Sequence, residues 1–184
     1  MFQYEKLANI VDLVFITAYD TQSQMFETSC QARPNSPLRR IFSGIRKYVQ
    51  LGIPVKKMIL GVPWYGYRYP CESFNAGICF IKKVPFRGCN CSDAAGVEIP
   101  YKDILNFEKL SLTGRKWDAV SQTPYFEVTL NSTIYQIWFD DPSSLFIKYK
   151  VGTDLGLAGV GFWTANYLDY SNYTMVQSMW SILP

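Results

Sequence analysis

Histidine is absent from the 184 residues. Its absence removes the Ser-His-Asp and Cys-His nucleophilic arrangements and every histidine-ligated metal site. Acid–base chemistry near neutral pH then falls to carboxylates, tyrosines or thiols. A basic run is also missing, and a formal charge of +3 is too weak to argue for a nucleic-acid partner. No apolar stretch approaches the roughly 18 residues that a membrane helix needs, so no membrane partner is expected. Neither G-x-G-x-x-G nor G-x-x-x-x-G-K occurs, which leaves dinucleotide and P-loop readings without support. The N-terminus lacks the succession of basic region, apolar core and small-residue cleavage site, so no signal peptide is expected in this chain.

What is present argues for a folded chain. A hydrophobic fraction of 48% against 18% charged residues sets disorder aside. Aromatic residues at 16% supply either a large core or a stacking platform for flat apolar faces such as sugar rings. Of the five cysteines, four fall between positions 71 and 91. Cys89-x-Cys91 and the Cys71, Cys79 spacing do not match paired C-x-x-C zinc ligands, so disulfides are favoured over a metal. Cys71 and Cys79 are the candidate bridge residues, and the odd number leaves at least one thiol over or paired outside the chain. Sequons at Asn90, Asn131 and Asn172 are candidate glycosylation sites and point to the secretory pathway. A secretory signature without a leader, and a chain that enters at the tail of a helix (2–9), give the expectation that a longer protein has lost its beginning.

Three runs organise the chain. Residues 156–166, Gly-Leu-Ala-Gly-Val-Gly-Phe-Trp-Thr-Ala-Asn, read as a strand buried on both faces that closes in Trp163. Residues 11–20 close in Tyr19-Asp20, and residues 58–66 close in Trp64-Tyr65-Gly66. Ser36-Pro37 reads as the cap and first-turn proline of a helix through Leu38, Ile41, Ile45, Tyr48 and Val49, stopped by Gly52. Asp141-Pro142 starts a second helix, and residues 171–183 a final one with Met175, Met179, Trp180 and Leu183 inward. Residues 67–137 change character, with strands at 125–130 and 133–139 and a helix at 101–110. Too long for a loop, this reads as an inserted α+β subdomain. The order predicts a parallel α/β arrangement with right-handed crossovers. Three parallel strands leave both edges unpaired, so part of a larger barrel or doubly wound sheet is expected.

At these strand ends the sequence resembles the second half of a family 18 glycoside hydrolase, over nearly its whole length. Its anchors are Tyr19-Asp20, Gly61-Val-Pro63-Trp64-Tyr65-Gly66, Trp117-Asp118 with Pro124-Tyr125, residues 138–143 with Lys148, and Gly159-Val-Gly161-Phe-Trp163. Residues 20–24, 62–67, 84–88 and 91–96 resemble, within the family, the branch that splits chitobiose. The resemblance implies a (β/α)8 TIM barrel with an α+β insertion after the seventh strand, of which this chain holds strands six to eight. Residues 1–66 would carry strands six and seven, 67–139 the insertion, and 140–184 the last helices and eighth strand. It also implies retaining hydrolysis in which the substrate's own acetamido oxygen is the nucleophile. The proton-donating Glu closes an Asp-x-x-Asp-x-Glu strand that this chain lacks, so no catalytic acid is expected within it. Asp103, Asn106 and Glu108 form a degraded copy, but on a stretch with helical spacing.

Carried over residue by residue, Tyr19 hydrogen-bonds the acetamido carbonyl, Asp20 is a substrate-side carboxylate and Trp163 floors the N-acetylglucosamine site. Tyr65 and, less closely, Trp64 match the cleft wall, and Asn166 is taken as a further substrate-binding residue. Thr17 stands where the family usually has Met, and Tyr67 where many chitinases have Arg, which suits a short substrate. The implied partner is an N-acetylglucosamine-containing oligosaccharide from N-glycans, with no cofactor, a lysosomal or secretory location and a monomeric full-length protein. The alternative is a non-catalytic sugar-binding fragment.

Overall fold

The computed structural model describes residues 3–24 and 29–184. In chain order the elements are α1 (Tyr4–Ile10), β1 (Val14–Thr17), α2 (Leu38–Gln50), β2 (Met58–Pro63), β3 (Tyr65–Pro70), β4 (Ser73–Asn75), β5 (Ile78–Phe80), β6 (Val97–Pro100), α3 (Tyr101–Glu108), β7 (Lys116–Asp118), β8 (Thr123–Leu130), β9 (Thr133–Trp138), α4 (Pro142–Asp154), β10 (Gly159–Trp163) and α5 (Tyr173–Trp180). The three anchor runs pair as one parallel sheet in the order β1-β2-β10. The rest of the strands form a five-stranded antiparallel sheet, β6-β3-β9-β8-β7, and a small hairpin, β4-β5.

Register explains which face of the parallel sheet is covered. Ile16, Leu60 and Val160 are side by side, as are Val62 and Phe162. With Met58 they face Ile41 and Ile45 of α2, Leu145 and Tyr149 of α4, and Met175 and Met179 of α5 in one core. Alternate residues point the other way, because side chains on a strand alternate. There Phe15 lies across Gly61, where an added Cβ would come within 2.2 Å of its ring, and Phe15 stays 46% exposed. The expectation of strands buried on both faces therefore holds for neither β1 nor β10. Each is an edge strand, covered by helices on one side only.

The antiparallel sheet begins earlier than position 67. β3 starts at Tyr65, a single residue after β2 ends, so Trp64 is the pivot between the two sheets. Its amide donates to the Trp163 carbonyl at 2.6 Å, and its own carbonyl accepts from the Tyr101 amide at 3.3 Å. Helix α3 packs on β3, β6 and β8, and the Asp103, Asn106, Glu108 copy sits on this helix. One further expectation is corrected. Ser36 does not cap α2: Pro37 occupies the cap, and the Ser36 hydroxyl donates to the Ala18 carbonyl at 2.5 Å. In α1, Ala8 is buried and Tyr4 packs on Tyr48, but Leu7 is 45% exposed. Phe2 lies outside the described residues. Asp141 does start α4, in a capping box with Ser144 and with Pro142 in the first turn.

Candidate functional site

The chain leaves β1 at Thr17, and the Ala18 amide adds one more bond to the Gly61 carbonyl at 2.9 Å. Two residues on, Asp20 takes a left-handed backbone, φ 54, held by its amide donating to Asn35 Oδ1 at 2.7 Å. Thr21 donates to the Asn35 carbonyl from both its amide and its hydroxyl. Together with Ser36 on Ala18, residues 35 and 36 fix the direction in which Asp20 leaves the sheet.

That direction is toward β3. Tyr65, Tyr67 and Tyr69 alternate with Gly66 and Arg68, so their rings share one face of the strand. Tyr65 and Tyr67 both donate to Asp20 Oδ1, at 2.6 and 3.0 Å. The phenols hold their protons firmly. Burial pushes the pKa of each well above the ordinary tyrosine value, and the Asp20 carboxylate pushes it further the same way. Tyr69 continues the row by donating to Asp93 Oδ1 at 3.0 Å. Tyr19 packs edge-on to Tyr65 with ring centroids 5.9 Å apart, and burial, then Asp20, raise its pKa too. Tyr167, just after β10, meets Tyr65 edge-on at 6.0 Å and donates to Glu98 Oε1 at 2.5 Å, which lifts its pKa to about 12.

Trp163 stands at the carboxyl end of β10, in register with Pro63, on the open face of the parallel sheet. Its indole is 53% exposed, and its peptide bond to Thr164 is cis. Asn166 is exposed on the turn that leads to Tyr167. The structure thus gathers Tyr19, Asp20 and Tyr65, and places Trp163 at the carboxyl end of β10 in the same parallel sheet. Trp64 goes elsewhere. Fully buried, it stacks on Phe162 at 3.5 Å and donates from Nε1 to the Tyr149 hydroxyl at 3.1 Å. Alternation at the end of β2 turns it into the core, so it is no part of a cleft wall.

Sequence reasoning missed Asn35 and Tyr67 as a second donor to Asp20, and it used residues 84–88 and 91–96 only as marks of the resemblance, without placing them beside Asp20. The period-two tyrosines of β3 were the available signal for Tyr67. A hollow of about 460 Å³ is lined by Asp20 and Tyr67 together with Phe86, Arg87 and Asp93. Disulfides join Cys30 to Cys91 and Cys71 to Cys79, while the buried Cys89 keeps its thiol and donates to the Cys91 carbonyl at 2.9 Å. Asn90, Asn131 and Asn172 are all exposed, with Asn131 in the β8–β9 turn and Asn172 capping α5. Among the described residues no cluster of His, Cys, Asp or Glu could hold a metal ion, and no helix is long and apolar enough to cross a membrane.

Comparison with known proteins gives three findings. The profile of Glycosyl hydrolases family 18 matches residues 1–167. Among curated relatives, di-N-acetylchitobiase of Mus musculus is 39% identical over 99% of this chain and 51% of its own length, and that of Homo sapiens 37% identical over 99% and 49%. The chain thus spans about half the length of the curated relatives it matches. Among solved structures, the chitinase-like agglutinin of Robinia pseudoacacia superposes with a TM-score of 0.66 at 25% identity, covering 98% of this chain and 50% of the other.

Proposed function

The chain belongs to glycosyl hydrolase family 18, and we propose that it is the carboxyl-terminal part of a chitobiase-type glycosidase acting on the GlcNAc-β1,4-GlcNAc unit of N-glycan-derived oligosaccharides. In this reading β1, β2 and β10 are strands six to eight of a (β/α)8 barrel, and the antiparallel sheet with α3 is the insertion after the seventh. The observation that carries it is Asp20. Two buried phenols donate to its Oδ1, Asp20 lines a hollow with Tyr67, and an exposed Trp closes β10 of the same parallel sheet.

The chemistry follows from that arrangement. The pyranose ring rests its apolar face on Trp163. Its acetamido N–H donates to Asp20, and Tyr19 donates to the acetamido carbonyl, so that the carbonyl oxygen lies in line with the anomeric carbon. As that oxygen bonds to C1, the C1–O bond to the next sugar breaks, and a carboxylic acid protonates the departing oxygen. Water then opens the cyclic intermediate with retention. Asp20 stabilises the positive charge that spreads over the acetamido group, and the protonated Tyr65 and Tyr67 keep the carboxylate in place. The proton donor would come from an Asp-x-x-Asp-x-Glu strand that these 184 residues do not contain. General acid catalysis supplies about 10²–10⁴-fold, so this chain alone should bind sugar without turning it over. Two disulfides and three exposed sequons support a lysosomal or secretory setting.

A fluorogenic chitobioside tests the reading. No turnover by the 184-residue chain is expected, with chitobiose changing its tryptophan fluorescence. Turnover would overturn the missing acid, and a flat titration to millimolar sugar would overturn the site. The likeness to a chitinase-like agglutinin supports one second reading, in which binding alone is the activity of this chain. Joining it to the missing strand then restores no hydrolysis.

A further inference from the structure

The wall facing Asp20 is a built feature. Phe86 and Cys89 exchange both backbone bonds, at 2.8 and 2.9 Å, around Arg87 and Gly88. Both turn residues have positive φ, 47 and 85, as the tight primed hairpin turn requires. Asn or Gly suits the first of these positions. Arg there carries a conformational cost that persists only where the surroundings enforce it. They do so at several points. The Ser92 amide donates to the Val84 carbonyl, Cys89 is buried beneath the turn, and the Cys30–Cys91 bridge anchors the hairpin to the segment that follows Asp20.

The tip places two complementary groups on the hollow. Phe86 is 46% exposed, and the Arg87 guanidinium lies 5.1 Å from its ring centre. Among the residues that line the hollow, Arg87 is the single cation, alongside Asp20 and Asp93. A guanidinium only donates hydrogen bonds. An exposed phenyl offers an apolar face. Asp20, which would hold the acetamido group of the first sugar, lines the same hollow as the tip, so a ring bonded to the first lies within reach of Phe86 and Arg87. Its volume fits the roughly 300–1,000 Å³ of small-molecule clefts.

We propose that the Phe86–Arg87 tip is a specificity element for a second N-acetylglucosamine ring: Phe86 packs on its apolar face while Arg87 donates to its acetamido carbonyl or hydroxyl oxygens. This rests on the sugar site proposed above. The two can fail separately. Arg87→Asn keeps a residue that tolerates the left-handed backbone and removes the guanidinium. In titrations of the 184-residue chain, this variant should weaken chitobiose binding by roughly tenfold and leave N-acetylglucosamine within about twofold. Phe86→Ser should move the same ratio in the same direction, and unchanged melting and near-ultraviolet dichroism would confirm that both variants fold. If Trp163→Ala abolishes binding of both sugars while Arg87→Asn and Phe86→Ser leave their ratio unchanged, the tip has no such role and the site itself stands. If both sugars weaken equally in the tip variants, the second-ring assignment is wrong. A wild-type chain that binds neither sugar overturns both proposals.

Discussion

The Trp64 amide donates to the Trp163 carbonyl, yet their indoles have opposite surroundings. Trp64 is enclosed by Phe162, Trp180 and Tyr149, whereas Trp163 stands half in solvent. Truncating the first leaves a large void, so Trp64→Ala should cost about 3–5 kcal/mol in urea unfolding. Truncating the second should stay within about 0.5 kcal/mol and remove the sugar-induced fluorescence change. A Trp163→Ala variant as unstable as Trp64→Ala would mean that Trp163 is a packing residue. Tyr19, Asp20, Tyr65 and Trp163 were legible in the sequence because each closes or follows an apolar run at a strand end. Trp64 was misread because an adjacent residue on a strand faces the other way, and the kink after Pro63 leaves no mark in composition. Arg87 entered only as part of the 84–88 resemblance, since its place in the hollow depends on a hairpin and a bridge to Cys30 that local patterning does not encode.

Elements with a clear cap, a helical spacing or a long apolar run were readable, and the short ones were not. Residues 38–50 and 142–154, the strands at 123–130 and 133–138, and the parallel runs match their expectations closely. The short strands β4 to β7 escaped notice because each has only three or four residues, too few to show an alternating pattern, and β6 is held by pairing with the distant β3. Where the two sheets join, an added Cβ on Gly66 would lie 2.3 Å from the Trp138 carbonyl oxygen. That backbone cannot swing aside like a side chain, so Gly66→Ala should cost about 1–3 kcal/mol, read from the chemical-denaturation midpoint. Deep in α4, Lys148 contacts Asp140 with both side chains fully buried. Burial pushes the Asp140 carboxyl up and the Lys148 ammonium down, against their mutual attraction. Lys148→Met should therefore cost about 3–5 kcal/mol by stranding the carboxylate, and adding Asp140→Leu should recover most of it. No recovery in the double variant would show that the pair's hydrogen bonds to Ser144 and Thr123 dominate.

For the molecule as a whole, buried phenols set its tolerance of alkali. Tyr65, Tyr67, Tyr69, Tyr101 and Tyr149 all have folded-state pKa values raised above 10.0, chiefly by burial. The unfolded chain therefore gives up these protons first as pH rises. Their contribution is fully present below about pH 10 and is lost as pH climbs through the folded values. Melting temperatures should hold up to that point and then fall steeply, with tyrosinate absorbance appearing together with unfolding. Phenolate absorbance that rises well before unfolding would show that the row on β3 is open to water.

Oxidative assembly raises a separate matter. Cys89 is two positions from Cys91, so a thiolate can attack the neighbouring bridge through a very short excursion during folding. Material refolded from the reduced state should partition into isomers in which Cys30 is captured by either sulfur, and only one of these shapes the 84–91 turn correctly. The substitution Cys89→Ser should collapse that mixture to a single chromatographic species.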